Sequence, residues 1–156
     1  MDPREGANPH EALESARQRR ADLHDVLVAL EMAIAAPVGA GRVEWAERVG
    51  KALRRVGDEL DAHVTVTEGA DGLYAEMLAT APRLAPAVGR LQAEHADLRA
   101  ALDHAGARVA DVGSAGEDAG GEAREAVLAL LGDFARHRQA GADLVYEAYE
   151  TDIGGG

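Results

Sequence analysis

Apolar residues recur along this chain in alternating steps of three and four, and the pattern breaks at three places where glycine and proline collect: residues 37–41, 69–82 and 113–121. Such steps keep side chains on one face of a 3.6-residue helix, so the pattern predicts four helices, each with one buried stripe. The first starts at NPHE, where Asn8 is placed to cap, Pro9 to fill the first helical position and Glu11 to complete a capping box, and it ends before Pro37. Its stripe is Leu13, Ala16, Leu23, Leu27, Leu30 and Ile34. The second, over about 43–68, carries Trp45, Val49, Leu53, Val56 and Leu60, and the same spacing continues to His63 and Thr67. A third, over about 82–109, presents Leu84, Val88, Leu91, His95, Leu98, Leu102, Ala105 and Val109. The fourth, over about 122–149, presents Val127, Leu130, Phe134, His137, Gly141, Leu144 and Ala148. Between the second and third, GADGLYAEMLATAP predicts a short helical piece over 73–79, read as a bent continuation of helix two.

Four amphipathic helices with short connections predict an all-α, up-down-up-down four-helix bundle. At 156 residues the chain is the size of one domain, with a core over about 9–150, a loose acidic N-terminal segment and a glycine-rich tail, TDIGGG. An aromatic content of 3% and few β-branched runs favour helices built on Ala, Leu, Glu and Arg over strands. The absence of cysteine excludes disulfides, zinc-thiolate sites, iron-sulfur clusters and thiol nucleophiles. A net charge of -12 argues against nucleic acid and anionic membrane surfaces as partners and leaves small cations as better ones. No apolar run approaches the roughly 20 residues of a membrane span, and MDPREGANPH lacks the features of a signal peptide, which points to a cytoplasmic protein.

The candidate chemistry lies in the stripes themselves. His63, His95 and His137 occupy seam positions on three helices, and His24 lies one position off the seam of helix one, beside Leu23 and Leu27. In an up-and-down bundle two residues share a height when the connecting turn falls midway between them. For His63 and His95 the midpoint is Ala79, at the edge of the break before Pro82; for His95 and His137 it is Gly116, inside the third break. The midpoint of His24 and His63 falls near Val43, about one helical turn beyond its break, so all four are expected in one layer. Imidazoles crowded into a dry interior lose water without gaining partners, whereas a transition metal satisfies their ring nitrogens. Nitrogen and oxygen donors without sulfur suit iron, manganese or zinc. His10 and His104 read as solvent-facing, and the Glu-x-x-His pairs of ferritin-like di-iron bundles are absent.

Single histidines on successive antiparallel helices, with HVTVTEGADGLY and RLQAEHADL, make nearly the whole chain resemble the hemerythrin-like cation-binding domain. The resemblance implies a four-helix bundle holding non-haem iron on histidines and bridging carboxylates. It also implies a carrier, store or sensor of dioxygen or another small redox ligand; peroxide or nitric oxide scavenging is the activity expected if the protein is an enzyme. The implied metal ligands are His24, His63, Glu68, His95, His137 and Glu147. The chain departs from the family pattern where Thr67, Arg99, Gly141 and Ala142 stand at positions that usually carry ligands. Glu59 and Asp133, four residues before His63 and His137, read either as acceptors that orient the rings of those histidines or as polar ends of the seams. Tyr74 reads either as a group near the metal or as packing. The small residues Ala140, Gly141 and Ala142 leave room beside the histidines, for a small ligand or for a closely packed helix. The alternative to the metal reading is a metal-free bundle with a polar layer, acting through a protein partner.

Overall fold

The computed structural model describes residues 10–39 and 41–150. Its elements are α1 (Glu11–Ala35), α2 (Arg42–Glu68), the short α3 (Leu73–Thr80), a 3-10 turn (Pro82–Leu84), α4 (Ala85–Asp111) and α5 (Ala119–Tyr149). The four long helices form a bundle in which α1 packs mainly on α2, α2 also on α4, and α4 on α5, while α1 and α5 are the loosest of the neighbouring pairs. Every apolar side chain of the stripes read from the three-four spacing is buried, as are the seam residues Thr67, His95 and His137. Asn8 and Pro9, the cap expected for the first helix, and the tail TDIGGG lie outside the described residues.

The connections follow from local chemistry. Proline at 37 excludes a helical continuation through the preceding residue, and α1 stops at Ala35. Its C-terminal carbonyl, that of Ala36, accepts from Trp45 Nε1 at 3.0 Å and from the Arg124 guanidinium at 2.8 Å, so α2 and α5 both close on the end of α1. The α2–α3 connection is tighter than a bent continuation. After Glu68 the chain folds back through Gly69 and Gly72, where an added Cβ would fall 2.7 Å from the Thr65 carbonyl and 2.8 Å from that of Val66. Only glycine fits there, and the break makes α3 a separate helix whose Leu73, Tyr74 and Met77 are buried across the bundle end.

Gly89 has no such role. An added Cβ at Gly89, inside α4, meets nothing within 4 Å. Gly89→Ala is therefore expected to raise stability by about 0.5–1 kcal/mol, by removing backbone entropy from the unfolded chain. A higher urea midpoint with an unchanged m-value would register it.

The core is divided. One apolar cluster centres on Leu30, Trp45, Val56 and Phe134, and a second on Leu13, Tyr74, Met77, Leu91 and Leu144. The seam histidines sit between them: His95 separates Leu91 from Leu98, and His137 separates Phe134 from Leu144. No described helix is long and apolar enough to cross a membrane.

Candidate metal centre

Three of the four expected histidines converge. His63 from α2, His95 from α4 and His137 from α5 bring one ring nitrogen each to within 4.8 Å of one another, with His95 and His137 only 5% and 4% exposed. The Nε2 atoms of His95 and His137 are 3.1 Å apart, and that of His137 is 3.4 Å from Nε2 of His63. With metal–nitrogen bonds of about 2.0–2.1 Å, ligands on the edge of a tetrahedron are about 3.3–3.4 Å apart and those on an octahedral edge about 2.9 Å. The two short separations fall on and between those values, and the three nitrogens together lie within 4.8 Å.

The protonation pattern sharpens the point. Against the Glu94 carboxylate oxygen Oε2 at 2.6 Å, His137 Nδ1 is the donor, the tautomer whose neutral ring presents Nε2 as a lone pair. Glu68 Oε2 lies 3.4 Å from Nδ1 of His95, an ion-pair distance that is long and off-line for a hydrogen bond. Both carboxylates thus meet the outer edges of their rings and favour the tautomers that turn Nε2 lone pairs inward. A single N–H satisfies one of these lone pairs at most; a cation between them satisfies all three. Carboxylates behind ligating imidazoles are the usual support of histidine-metal sites. Nδ1 of His63 is buried without a hydrogen-bond partner.

Electrostatics keep the rings ready to bind. Burial, followed by the neighbouring His95 and His137, pushes His63 down to about 3, and burial with His137 lowers His95 against the opposing pull of Glu68 and Glu94. At neutral pH both rings are uncharged, the state in which imidazole ligates. Tyr74 stacks on His95 with ring centroids 6.2 Å apart and planes within 11°, and burial raises its phenol to about 12, so it remains a neutral O–H.

Comparison with known protein families, characterised proteins and solved structures finds no match. The three-histidine cluster is therefore what identifies the site: these side chains can hold one metal ion.

Several expected site residues lie elsewhere. His24 is exposed, because its neighbour Leu23 takes the buried position on α1 and one residue rotates the side chain by about 100 degrees. Glu147 is likewise exposed and pairs with Arg83 at 2.8 Å. Glu68 reaches the cluster at the Nδ1 edge of His95, away from the converging Nε2 atoms. Glu59 faces Arg19 at 3.8 Å and Asp133 pairs with Arg136, so the acids meeting the rings are Glu68 and Glu94 instead. Arg99 bonds to Asp61 and the Gly57 carbonyl and ties α4 to α2. Thr67 turns its hydroxyl to its own helix, donating to the His63 carbonyl at 2.8 Å.

Glu94 is the residue that sequence reasoning missed. It precedes His95 by one position, so it lies about 100 degrees off the α4 seam, and it serves the histidine of a different helix. The small residues after His137 did mark a space. A cavity of about 210 Å³ is lined by His63, Thr67, Tyr74, His137, Gly141 and Ala142 among others, where α1 and α5 are least closely packed.

Proposed function

We propose that this protein is a hemerythrin-like metal-binding protein with a mononuclear site, in which Nε2 of His63, His95 and His137 hold one divalent first-row ion. The observation that carries the reading is the 3.1 Å approach of two Nε2 atoms whose opposite ring edges meet carboxylates. One ion rather than two is supported by the donor set: three nitrogens converge, while Glu68 and Glu94 approach from behind and bridge nothing. Iron is the ion proposed, in keeping with the resemblance. With only three protein donors a coordination position is open to a small molecule, and the adjoining cavity offers it room. Carrying or sensing dioxygen or another small redox ligand fits that arrangement better than turnover, since Tyr74 is the one proton-bearing group stacked at the rings and is held neutral. Zinc is the second reading, favoured by the absence of a carboxylate among the three donors.

Elemental analysis of freshly purified protein, with absorption spectra before and after reduction, separates these readings. One iron per chain with near-ultraviolet bands that change on reduction is the expected result; one colourless zinc supports the second reading. No metal, and none taken up from anaerobic ferrous iron or zinc, sinks both and leaves a polar-layer bundle. Within the metal reading, Glu94→Ala is expected to weaken metal affinity about 10- to 100-fold by freeing the His137 ring. His24→Ala and Glu147→Ala are expected to leave it unchanged, and competition with a chromophoric chelator would measure all three.

A further inference from the structure

The same cavity has a charged rim for which the metal has no use. Arg20 of α1 and Arg138 of α5 both line it, together with apolar side chains including Leu13, Leu23, Leu73 and Met77. The protein carries 28 acidic against 16 basic residues, and Arg17, a third arginine of this rim, is paired with Glu14. Among the described residues neither Arg20 nor Arg138 has an acidic partner. The Nε of Arg138 is buried without a hydrogen-bond partner. Two guanidinium groups on the rim of one cavity, one of them with a buried donor unspent, favour an anion there. The walls favour an apolar body.

We infer that the cavity between α1, α3 and α5 binds a small apolar monocarboxylate, its carboxylate held at the rim by Arg20 and Arg138 and its body lying among Leu13, Leu23, Leu73 and Met77. Size agrees with this class. A dry cavity of about 150 Å³ is enough for benzene, so about 210 Å³ accommodates one ring or a short chain. Drug-sized pockets start at roughly 300 Å³, and larger ligands are excluded on that ground. Gly141 contributes to the space: its Cβ would meet nothing within 4 Å, so a longer side chain at this position projects into the cavity without disturbing the helix. The inference does not rest on the metal reading, since no residue of the clamp is a proposed metal ligand, although His63 and His137 line the same cavity.

Calorimetric titration of the full chain, metal-free and metal-loaded, with benzoate, benzyl alcohol and inorganic phosphate tests it. Benzoate is expected to bind once per chain, at least 10-fold tighter than either comparison compound. Arg138→Gln is expected to weaken benzoate at least 10-fold, and Gly141→Leu to abolish it, both with parental melting and metal content. Benzoate binding no tighter than benzyl alcohol, or unaffected by Arg138→Gln, would overturn the clamp. Phosphate binding as tightly as benzoate would overturn the apolar body. Because metal content is read on the same samples, benzoate binding without metal would cost only the metal reading, and metal without benzoate binding only this one.

Discussion

Replacing His137 with leucine is expected to abolish stoichiometric metal binding and, at the same time, to raise the melting temperature of the metal-free protein. His137 is the hub of the cluster: its Nε2 faces both other rings, and its Nδ1 donates to Glu94. Structural sites with four ligands bind zinc with about 10–16 kcal/mol, so one ligand contributes about 3 kcal/mol or more, on the order of 100-fold in affinity. In the metal-free protein the balance reverses. The ring is 4% exposed, and its Nε2 meets two other ring nitrogens of which a single N–H can satisfy only one, so removing that crowded buried nitrogen is expected to be worth about 1–3 kcal/mol. Leucine of similar volume would join Phe134 on one side and Leu144 on the other, fusing the two apolar clusters. Glu94, with its side chain 42% exposed, is left in contact with water and not stranded. At about 2–4 °C per kcal/mol the gain is several degrees. Paired melts with and without metal give the result. A variant that melts below the metal-free parent would mean that the histidine layer stabilises the bundle by its own hydrogen bonds.

The same stripes explain how much of this was legible in the sequence. Periodicity identifies the face of a residue within its own helix, so the buried stripes were available from spacing alone, and so was the equal height of His63, His95 and His137 once the turns were located. The separation of α3 from α2 was less so: the glycines at 69 and 72 signal a break, but that the chain folds back far enough to stack Tyr74 on His95 depends on close backbone approaches that composition does not encode. His24 shows the limit of reading by proximity, since a residue adjacent to a seam is not on it, and Leu23 at 1% exposure occupies the place. Glu94 shows the limit of reading one helix at a time. Its partner is 43 positions away, and only the packing of α4 on α5 brings them together.

The division of the core gives the polar layer a second consequence. Apolar stripes tolerate sliding by one turn with little penalty, whereas three histidines and two carboxylates meet one another in one register only. The layer therefore fixes the relative heights of α2, α4 and α5 as well as holding the donors, and the His137→Leu replacement that stabilises the metal-free fold would also relax that register.

Acidification is expected to destabilise the metal-free protein from about pH 6.5 downward, before most carboxylates protonate. An unfolded histidine binds its proton near 6.5, whereas burial and its two ring neighbours hold His63 down to about 3. Between those values the unfolded chain binds a proton that the folded one refuses, so the contribution is complete above 6.5 and is lost as pH falls toward 3. The slope is about 1.4 kcal/mol per pH unit for one group, or about 2 kcal/mol between pH 6.5 and 5 alone. His95, lowered by burial and His137, acts in the same direction. Against a total stability of about 5–15 kcal/mol, this is a measurable fraction of the margin that holds the metal-free protein folded in mild acid. Bound metal occupies the same lone pairs, so its protection fades over the same range as protons displace it, and the loaded and metal-free curves should converge. Urea midpoints at pH 7, 6, 5 and 4 would trace the effect. His63→Leu is expected to flatten the slope by one proton; an unchanged slope in that variant would show that the folded bundle opens to hydrate His63 before it is protonated.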